Sequence, residues 1–307
     1  MAITPTHGPV ATYPSAGAVL ALLKPITWFP PMWAYTCGAI ASGAPLSSRL
    51  VPLLLGIVLA GPLLCGTSQA VNDWFDRHVD AINEPHRVIP SGRMPGRWGL
   101  YVALIMSVLS LCVAAILGPL VFAAGTLGLV LAWGYSMPPL RFKQNGWIGN
   151  GVVGLSYETL PWITAAAAAL GATPSMPLVL VALLYGIGAH GILTLNDFKA
   201  IKGDIEMGIN TLPVLHGPRN SAVIACLIMG SAQAGVILLL LYLQLSMGAL
   251  LVGALLLAQV LCMPRFVRDP EGKAVWYSAA GVGLYVTGMM VTAVAFASAM
   301  SALPITG

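Results

Sequence analysis

Charge is scarce in this sequence, because Asp, Glu, Lys and Arg make up only 8% of its 307 residues. A soluble domain carries roughly 25% charged residues, so the composition excludes an ordinary water-soluble fold. Hydrophobic residues make up 58% of the chain. They stand in unbroken runs of the length that spans a bilayer as a helix, and they lack the alternation of barrel strands. The sequence predicts an all-α integral membrane protein in contact with membrane lipid.

Paired cysteines are also missing, and no secretory leader is expected. The five cysteines stand singly in apolar segments without a C-x-x-C pair, so neither a zinc site nor a disulfide framework is predicted. No Lys or Arg precedes Lys24, so the first apolar run has no positive region of the kind that begins a signal peptide. The net charge of +4 gives no indication of nucleic-acid binding, and no such partner is expected.

Charges and Pro/Gly clusters divide the chain into about nine apolar segments. The predicted spans are 18–42, 50–71, 98–117, 119–137, 148–170, 176–196, 219–242, 246–264 and 275–300. The loops between them are short, so we expect residues 1–307 to form one membrane domain. We expect a flexible N-terminal stretch at 1–17 and polar caps near 72–97 and 197–218.

The basic residues lie almost entirely on one side of this arrangement. With nine spans, thirteen of the fourteen Lys and Arg residues fall on the side of the N-terminus, and only Arg49 falls opposite. Cytoplasmic loops carry the excess of positive charge in membrane proteins. We therefore predict a cytoplasmic N-terminus and an external C-terminus. Nine of the ten acidic residues share the cytoplasmic side, and Glu158 lies inside a span.

Three of the ten acids crowd into the stretch NDWFDRHVD, which follows an uncharged segment from Val51 to Val71. If the helix continues, Asn72, Asp76 and Asp80 share an arc of roughly 80° on its surface, and Asp73 lies at its edge. Crowded carboxylates repel one another near a membrane, and a divalent cation relieves that repulsion. Carboxylate and amide oxygens suit Mg²⁺. An ordinary hydrated helix end is the alternative.

A second Asn-Asp pair favours the metal interpretation over that alternative. Asn196 and Asp197 end the sixth span on the same side, and Asp204 follows seven positions later, as Asp80 follows Asp73. If the helix continues, Asp197 and Asp204 project about 20° apart. The loop YSMPPLRFK adds the phenol of Tyr135 and two cations, Arg141 and Lys143. Two acidic clusters framed by cations are typical of a diphosphate site held through metal.

These motifs together resemble the intramembrane aromatic prenyltransferases of the UbiA superfamily. The strings DAINEPHRVIPSGR, AHGILTLNDFKA, KPITWFPPMWAY and DPEGKAVWY are similar to its chlorophyll and bacteriochlorophyll synthase branch, on the bacterial side. The resemblance covers about residues 24–290. It implies a ring of nine helices around a lipid-open cavity, with Mg²⁺ and diphosphate at the cytoplasmic mouth in the cell membrane of a photosynthetic bacterium. It also implies esterification of the bacteriochlorophyllide propionate by a geranylgeranyl or phytyl diphosphate, and it is compatible with pigment-synthesis proteins as partners.

The resemblance also implies roles for individual residues. Asn72, Asp76 and Asp80 would form the first metal set, and Asp197 and Asp204 the second. Tyr135, Arg141 and Lys143 would bind diphosphate. Two positions depart from the family pattern: Ala200 stands where many members carry an acid, and Lys202 where members often carry Glu. A site with one metal ion and a site with two metal ions are both compatible with these residues.

Two ionisable residues within spans are candidate pigment contacts. Glu158 is a functional-site candidate because charged side chains are costly inside a membrane, and the alternative is a protonated carboxyl hydrogen-bonded within the bundle. His190 could bind the central magnesium of the pigment, and the alternative is a packed core histidine. Two alternative functions of the whole protein are also compatible with the sequence. They are prenyl transfer to a quinone precursor and ion-coupled transport.

Overall fold

A computed structural model describes residues 12–302, so the predicted stretch 1–17 lies mostly outside the described part, as does the end of the chain. The described residues are almost entirely helical and contain no β-strand, apart from one isolated bridge between Asn145 and Asn210. This confirms the predicted all-α class.

The first half of the structure contains six α-helices. They are α1 (Ala16–Leu23), α2 (Phe29–Ala41), α3 (Leu50–Val58), α4 (Gly66–Asn83), α5 (Trp98–Leu117) and α6 (Pro119–Ser136). A π-helical segment, Leu59–Cys65, joins α3 to α4 without a break. Pro62 lies inside it, and a proline removes a backbone donor and disturbs the regular α-helical bonding around it.

The second half of the structure contains eight α-helices. They are α7 (Gly146–Gly154), α8 (Leu160–Leu170), α9 (Met176–Asp197), α10 (Ile201–Glu206), α11 (Leu212–His216), α12 (Pro218–Tyr242), α13 (Ser246–Arg268) and α14 (Pro270–Ala302). A second π-helical segment, Leu155–Thr159, joins α7 to α8. Short 3₁₀ turns occupy Pro25–Thr27, Leu46–Arg49 and Phe142–Gln144.

Seven helices of the described residues are long and apolar enough to cross a membrane. They correspond to seven of the nine predicted spans, and several agree closely, such as Trp98–Leu117 with 98–117. The first predicted span is divided where α1 ends before Pro25. The fifth is continuous, but Ser156 and Glu158 lower its mean hydropathy. The count of nine is therefore approximate, although the membrane architecture is as predicted.

Helix α7 packs so tightly on α9 that only glycine fits at the crossing. A Cβ added to Gly154 would lie 2.5 Å from the carbonyl oxygen of Gly186, whereas a Cβ on Gly151 of the same helix would meet nothing within 4 Å. Small residues allow such close helix approach in membranes. This contact fixes the segment that follows Gly154 against α9.

Gly154→Ala is therefore expected to destabilise the protein by about 1–3 kcal/mol, because the added methyl group forces the two helices apart. The measurement is the midpoint of thermal unfolding in detergent. Gly151→Ala is the matched control, and it should leave the midpoint unchanged or raise it slightly. Equal midpoints for the two variants would contradict the tight crossing.

Candidate active site

The first wall of a large cavity is the polar part of α4. Asn72 and Asp76 lie one helical turn apart, and both line a cavity of about 570 Å³. The Asn72 Nδ2 donates to Asp76 Oδ2 at 2.9 Å and to Ser136 Oγ at 3.1 Å. These bonds hold the amide so that its oxygen remains available to a cation. The predicted pair Asn72 and Asp76 is thus brought together on one face.

Lys143 supplies the cation nearest to this wall. It lies in the 3₁₀ turn Phe142–Gln144, and its ammonium group forms an ion pair with the carboxylate of Asp76. Both side chains are largely buried and both line the cavity. A lysine held against a carboxylate inside a polar cavity is positioned to exchange that partner for an anionic ligand.

The second wall comes from the end of α9 and from α10. Asp197 accepts a hydrogen bond from the Asn150 amide at 3.3 Å, and Asp204 accepts one from the Thr211 hydroxyl at 3.1 Å. The helix does not continue between the two acids as the projection assumed, because α9 ends at Asp197 and α10 begins at Ile201. Both carboxylates nevertheless line the same cavity.

Asp204 lies in an environment that resists ionisation. Burial raises the pKa of its carboxyl above the ordinary value, and the hydrogen bond from Thr211 partly offsets this. A buried carboxylate without a cation is costly, and a nearby cation favours the charged form. Asp204 is therefore suited to binding positive charge brought in by a ligand.

Between the two walls, the cavity continues into the bundle along polar and then apolar side chains. Its lining residues are Thr27, Pro30, Ser68, Gln69, Asn72, Asp76, Tyr135, Lys143, Val153, Tyr157, Glu158, Ala189, Ile192, Leu193, Asn196, Asp197, Ala200, Asp204, Ile209 and Thr211. Five of the predicted diphosphate and metal residues besides Asn72 are among them, and so is Glu158. Ala200 lies on this wall and Lys202 does not.

An apolar pocket adjoins the cavity and shares Ser68, Tyr135, Val153 and Tyr157 with it. One face of α6 lines this pocket from Tyr135 to Val121, through Gly128 and Gly125. Fourteen residues of helix correspond to roughly 21 Å. The pocket therefore offers a long apolar surface that begins beside the polar residues.

Asp80 is not brought to the cavity. Its carboxylate accepts from the Arg87 guanidinium at 2.9 Å, and Asp73 is paired with Lys24 at 2.6 Å. Arg87 also lies 3.6 Å from Asp73, so the four side chains form one ion network beside the first wall, with buried carboxylates and half-buried cations. The metal role of Asp80 therefore stays a prediction, and its present partner is an arginine of the following loop.

Arg141 and His190 also lie away from the cavity lining. Arg141 precedes the turn that carries Lys143, and its Nε is buried without a hydrogen-bond partner. The His190 ring lies 5.2 Å from the ring of Trp147, and its Nε2 is 3.2 Å from the Trp147 carbonyl oxygen. The geometry gives His190 a packing contact, and its role as a pigment ligand remains a prediction.

The residues that hold the second wall, and several that line the depth of the cavity, were not predicted from the sequence. Asn150 bridges Thr194 and Asp197, both at 3.3 Å. Asn150 is a polar amide inside a predicted span, and such a side chain indicates a buried hydrogen-bonding role. Gln69 lies one turn before Asn72 on the same helix face, and its Nε2 donates to the Tyr157 hydroxyl at 3.3 Å.

The amino-acid sequence of residues 27–288 matches the UbiA prenyltransferase family. The match covers most of the chain. This chain belongs to the UbiA prenyltransferase family. It is an integral membrane prenyltransferase, as the resemblance predicted, and membership excludes the ion-coupled transporter.

Several UbiA relatives are similar over most of their length. The chain is 56% identical over 285 residues to the "Bacteriochlorophyll synthase 33 kDa chain" of Rhodobacter capsulatus, covering 92% of this chain and 94% of that protein. It is 47% identical to the 34 kDa chain of that name from Chloroflexus aurantiacus, covering 90% and 89%. It is 38% identical to "Chlorophyll synthase, chloroplastic" of Arabidopsis thaliana, covering 90% and 73%. The predicted branch of the UbiA family is confirmed.

Solved UbiA structures share the fold. A digeranylgeranylglyceryl phosphate synthase structure aligns with a TM-score of 0.70 at 19% identity, covering 91% of this chain and 98% of that one. A UbiA homologue from Archaeoglobus fulgidus, solved with GPP and Mg²⁺, aligns with a TM-score of 0.61 at 19% identity, covering 93% and 100%. At this identity the likeness supports the fold.

The oxygen donors of this UbiA site fit Mg²⁺ in the way that diphosphate enzymes use it. No group of three or more His, Cys, Asp and Glu side chains within residues 12–302 is arranged to enclose a metal by itself. The carboxylates and amides of the two acidic motifs instead line one cavity together. Mg²⁺ normally takes one or two carboxylates and completes its shell with water and substrate phosphates. The donor set therefore fits a metal that arrives with its diphosphate.

Proposed function

We propose that this protein esterifies the propionate carboxylate of bacteriochlorophyllide with the prenyl group of an isoprenoid diphosphate, as a bacteriochlorophyll synthase. The observation that carries the proposal is the cavity in which both acidic motifs and Lys143 meet. The relatives named bacteriochlorophyll synthase, at 54–56% identity over 92% of the chain, support this acceptor. The donor is a geranylgeranyl or phytyl diphosphate.

Asn72 and Asp76 on one wall, with Asp197 and Asp204 on the other, would hold Mg²⁺ together with the diphosphate. The bound metal would neutralise charge that develops on the leaving pyrophosphate. Asn196 lines the same wall and adds an amide oxygen. Asp80 would join the first set if Arg87 moved away from it. The two walls would bind one diphosphate between them, which explains why the acids occur as two separated motifs.

Lys143 would leave Asp76 and bind the diphosphate when the substrate enters. The ammonium group then stabilises the negative charge that grows on the leaving oxygen, in a cavity with restricted access to water. Tyr135 lines the cavity beside it and donates a further hydrogen bond from its hydroxyl. Arg141 would contribute long-range positive charge at the mouth, without direct contact to the cavity.

The ester-forming reaction needs no dedicated base. The bond between the allylic carbon and the diphosphate oxygen breaks, and its electron pair leaves with pyrophosphate. An oxygen lone pair of the propionate carboxylate then forms the ester bond. A carboxylate is already ionised near neutral pH, so no proton has to be removed. The apolar pocket along α6 would hold the prenyl tail, because most of its lining residues are aliphatic.

The cavity mouth would face the cytoplasm of a photosynthetic bacterium. Lys143, Lys199 and Arg87 cluster on the side where the acids lie, and the excess of basic residues marks the cytoplasmic side. Bacteriochlorophyllide and the isoprenoid diphosphate would be the small-molecule partners. Pigment-synthesis proteins are compatible protein partners at the same membrane.

The test is the product formed by the purified protein in detergent. Supplied with bacteriochlorophyllide, an equal amount of 4-hydroxybenzoate and geranylgeranyl diphosphate, it should form the bacteriochlorophyllide ester and release pyrophosphate. Mass spectrometry of both acceptors measures the outcome. Prenylation of the benzoate ring alone would overturn the proposal in favour of the quinone-precursor function, and a parallel assay with phytyl diphosphate measures the tail preference.

A further inference from the structure

Glu158 is the acid of the cavity that the diphosphate chemistry does not use. It lies in the π-helical segment Leu155–Thr159, is 5% exposed, and lines the cavity. Within residues 12–302, its Oε2 is buried without any hydrogen-bond partner and no Lys, Arg or His forms an ion pair with the carboxyl. Buried polar groups are nearly always satisfied. An unsatisfied carboxyl that faces a ligand cavity therefore points to a partner on the ligand.

The neighbourhood of Glu158 favours its neutral form. Among the described residues, the titratable side chains that interact with Glu158 through space are Cys37 and Tyr285, and neither is charged at neutral pH. An ionised carboxylate is costly in such surroundings, whereas a protonated carboxyl needs only a hydrogen-bond partner. In that form the side chain is a donor. It would therefore recognise a carbonyl oxygen better than a phosphate or a cation.

Glu158 also lies too deep to serve the diphosphate. Gly146 begins α7 three residues after Lys143, and Glu158 follows twelve residues further along the continuous helix. This corresponds to roughly 18 Å of helix. A prenyl diphosphate is polar only at its diphosphate end, so its tail offers this carboxyl nothing to bond. A bacteriochlorin carries carbonyl groups on the rim of its macrocycle, and a macrocycle that entered the cavity beyond its reacting propionate would bring them to this depth.

We infer that Glu158 donates a hydrogen bond to a ring carbonyl of the macrocyclic acceptor and so sets its orientation and selectivity. This rests on the proposed function, because it requires the acceptor to enter this cavity. Thr159 supports the position, since its hydroxyl donates to the Ala182 carbonyl oxygen at 3.1 Å and ties the π segment to α9. The π-helical turn thus presents Glu158 to the cavity while its neighbour anchors the backbone.

The experiment compares acceptor binding by the full-length protein and its variants in detergent, using the absorbance and fluorescence of bacteriochlorophyllide. Glu158→Leu should raise the Kd for the pigment about tenfold, because the ring carbonyl loses its donor in an apolar site. Glu158→Gln keeps a donor and should stay within about threefold of the wild type. The KM for prenyl diphosphate should not change in either variant.

Gln233→Leu is the matched control. Gln233 is also a buried membrane residue whose side chain has no partner, and it lies outside both cavities. This variant should leave both the pigment Kd and the prenyl diphosphate KM unchanged. A general effect of removing an unsatisfied polar group would appear in it, whereas an acceptor contact would appear only at Glu158.

Pigment analogues that each lack one ring carbonyl identify the bonded group. For the wild type, one analogue should bind about tenfold more weakly than the natural pigment. For Glu158→Leu, the same analogue and the natural pigment should bind equally well. The inference is overturned if every analogue is penalised equally in both proteins. It is also overturned if folded Glu158→Leu keeps the wild-type pigment Kd. Wild-type protein that binds the pigment in a Glu158-dependent way without forming an ester would overturn only the proposed function.

Discussion

Asp76→Asn and Asp204→Asn each lower the turnover number by about a thousandfold or more. Each change removes one negative charge from a wall that we propose holds metal and diphosphate, and interactions with developing charge contribute this much in such sites. Release of pyrophosphate and formation of pigment ester should fall together, since both follow from the same ionisation. The assay measures both products from geranylgeranyl diphosphate at saturating Mg²⁺.

Glu206→Gln is the matched control for Asp204→Asn. Both residues belong to α10, but Glu206 is exposed and does not line the cavity. We expect its variant to keep activity within about twofold of the wild type, as surface substitutions usually do. Wild-type rates in Asp76→Asn and Asp204→Asn, with both proteins folded, would rule out the two-wall site.

Lys143→Met lowers turnover about a hundredfold and strengthens the binding of Mg²⁺ to the enzyme without substrate. Turnover falls because the leaving pyrophosphate loses a cation. Metal binding tightens because Lys143 no longer competes for Asp76, with which it is paired. The two effects have opposite signs, so they separate this role from simple damage to the site. Kinetics measures the first and calorimetric titration with Mg²⁺ the second.

Lys199→Met provides the control for charge alone. Lys199 is exposed on the same side of the membrane and lies outside the cavity lining. Its loss should change neither turnover nor Mg²⁺ affinity by more than about twofold. Weaker Mg²⁺ binding in Lys143→Met would contradict the exchange of partners at Asp76.

The sequence was sufficient for the membrane class, the family and one wall of the site. Long apolar runs and the distribution of basic residues are properties of local composition, so span boundaries such as 98–117 were predicted closely. Asn72 and Asp76 were paired correctly because helical periodicity alone brings positions four apart together. Local rules were adequate wherever one helix determined the geometry.

The positions of the other site residues depend on contacts between segments that are distant in the sequence. Asp80 has the right spacing on α4, but Arg87 of the following loop binds it, and no periodicity indicates that pairing. The second wall has a turn between Asp197 and Ile201, so its two acids converge through tertiary structure instead of helical projection. His190 faces Trp147 because α7 crosses α9 there. These outcomes depend on packing, which a single sequence does not specify locally.

The π-helical segment Leu59–Cys65 makes the length of the chain part of the catalytic design. Each residue of an α-helix turns the chain by 100°, so one residue inserted or deleted there would rotate everything that follows in α4. Asn72 and Asp76 would leave the cavity, and Asp73 would turn away from Lys24. A loop outside this continuous helix can change in length without turning α4 in this way. The number of residues in the segment therefore helps to decide which side chains of α4 reach the cavity.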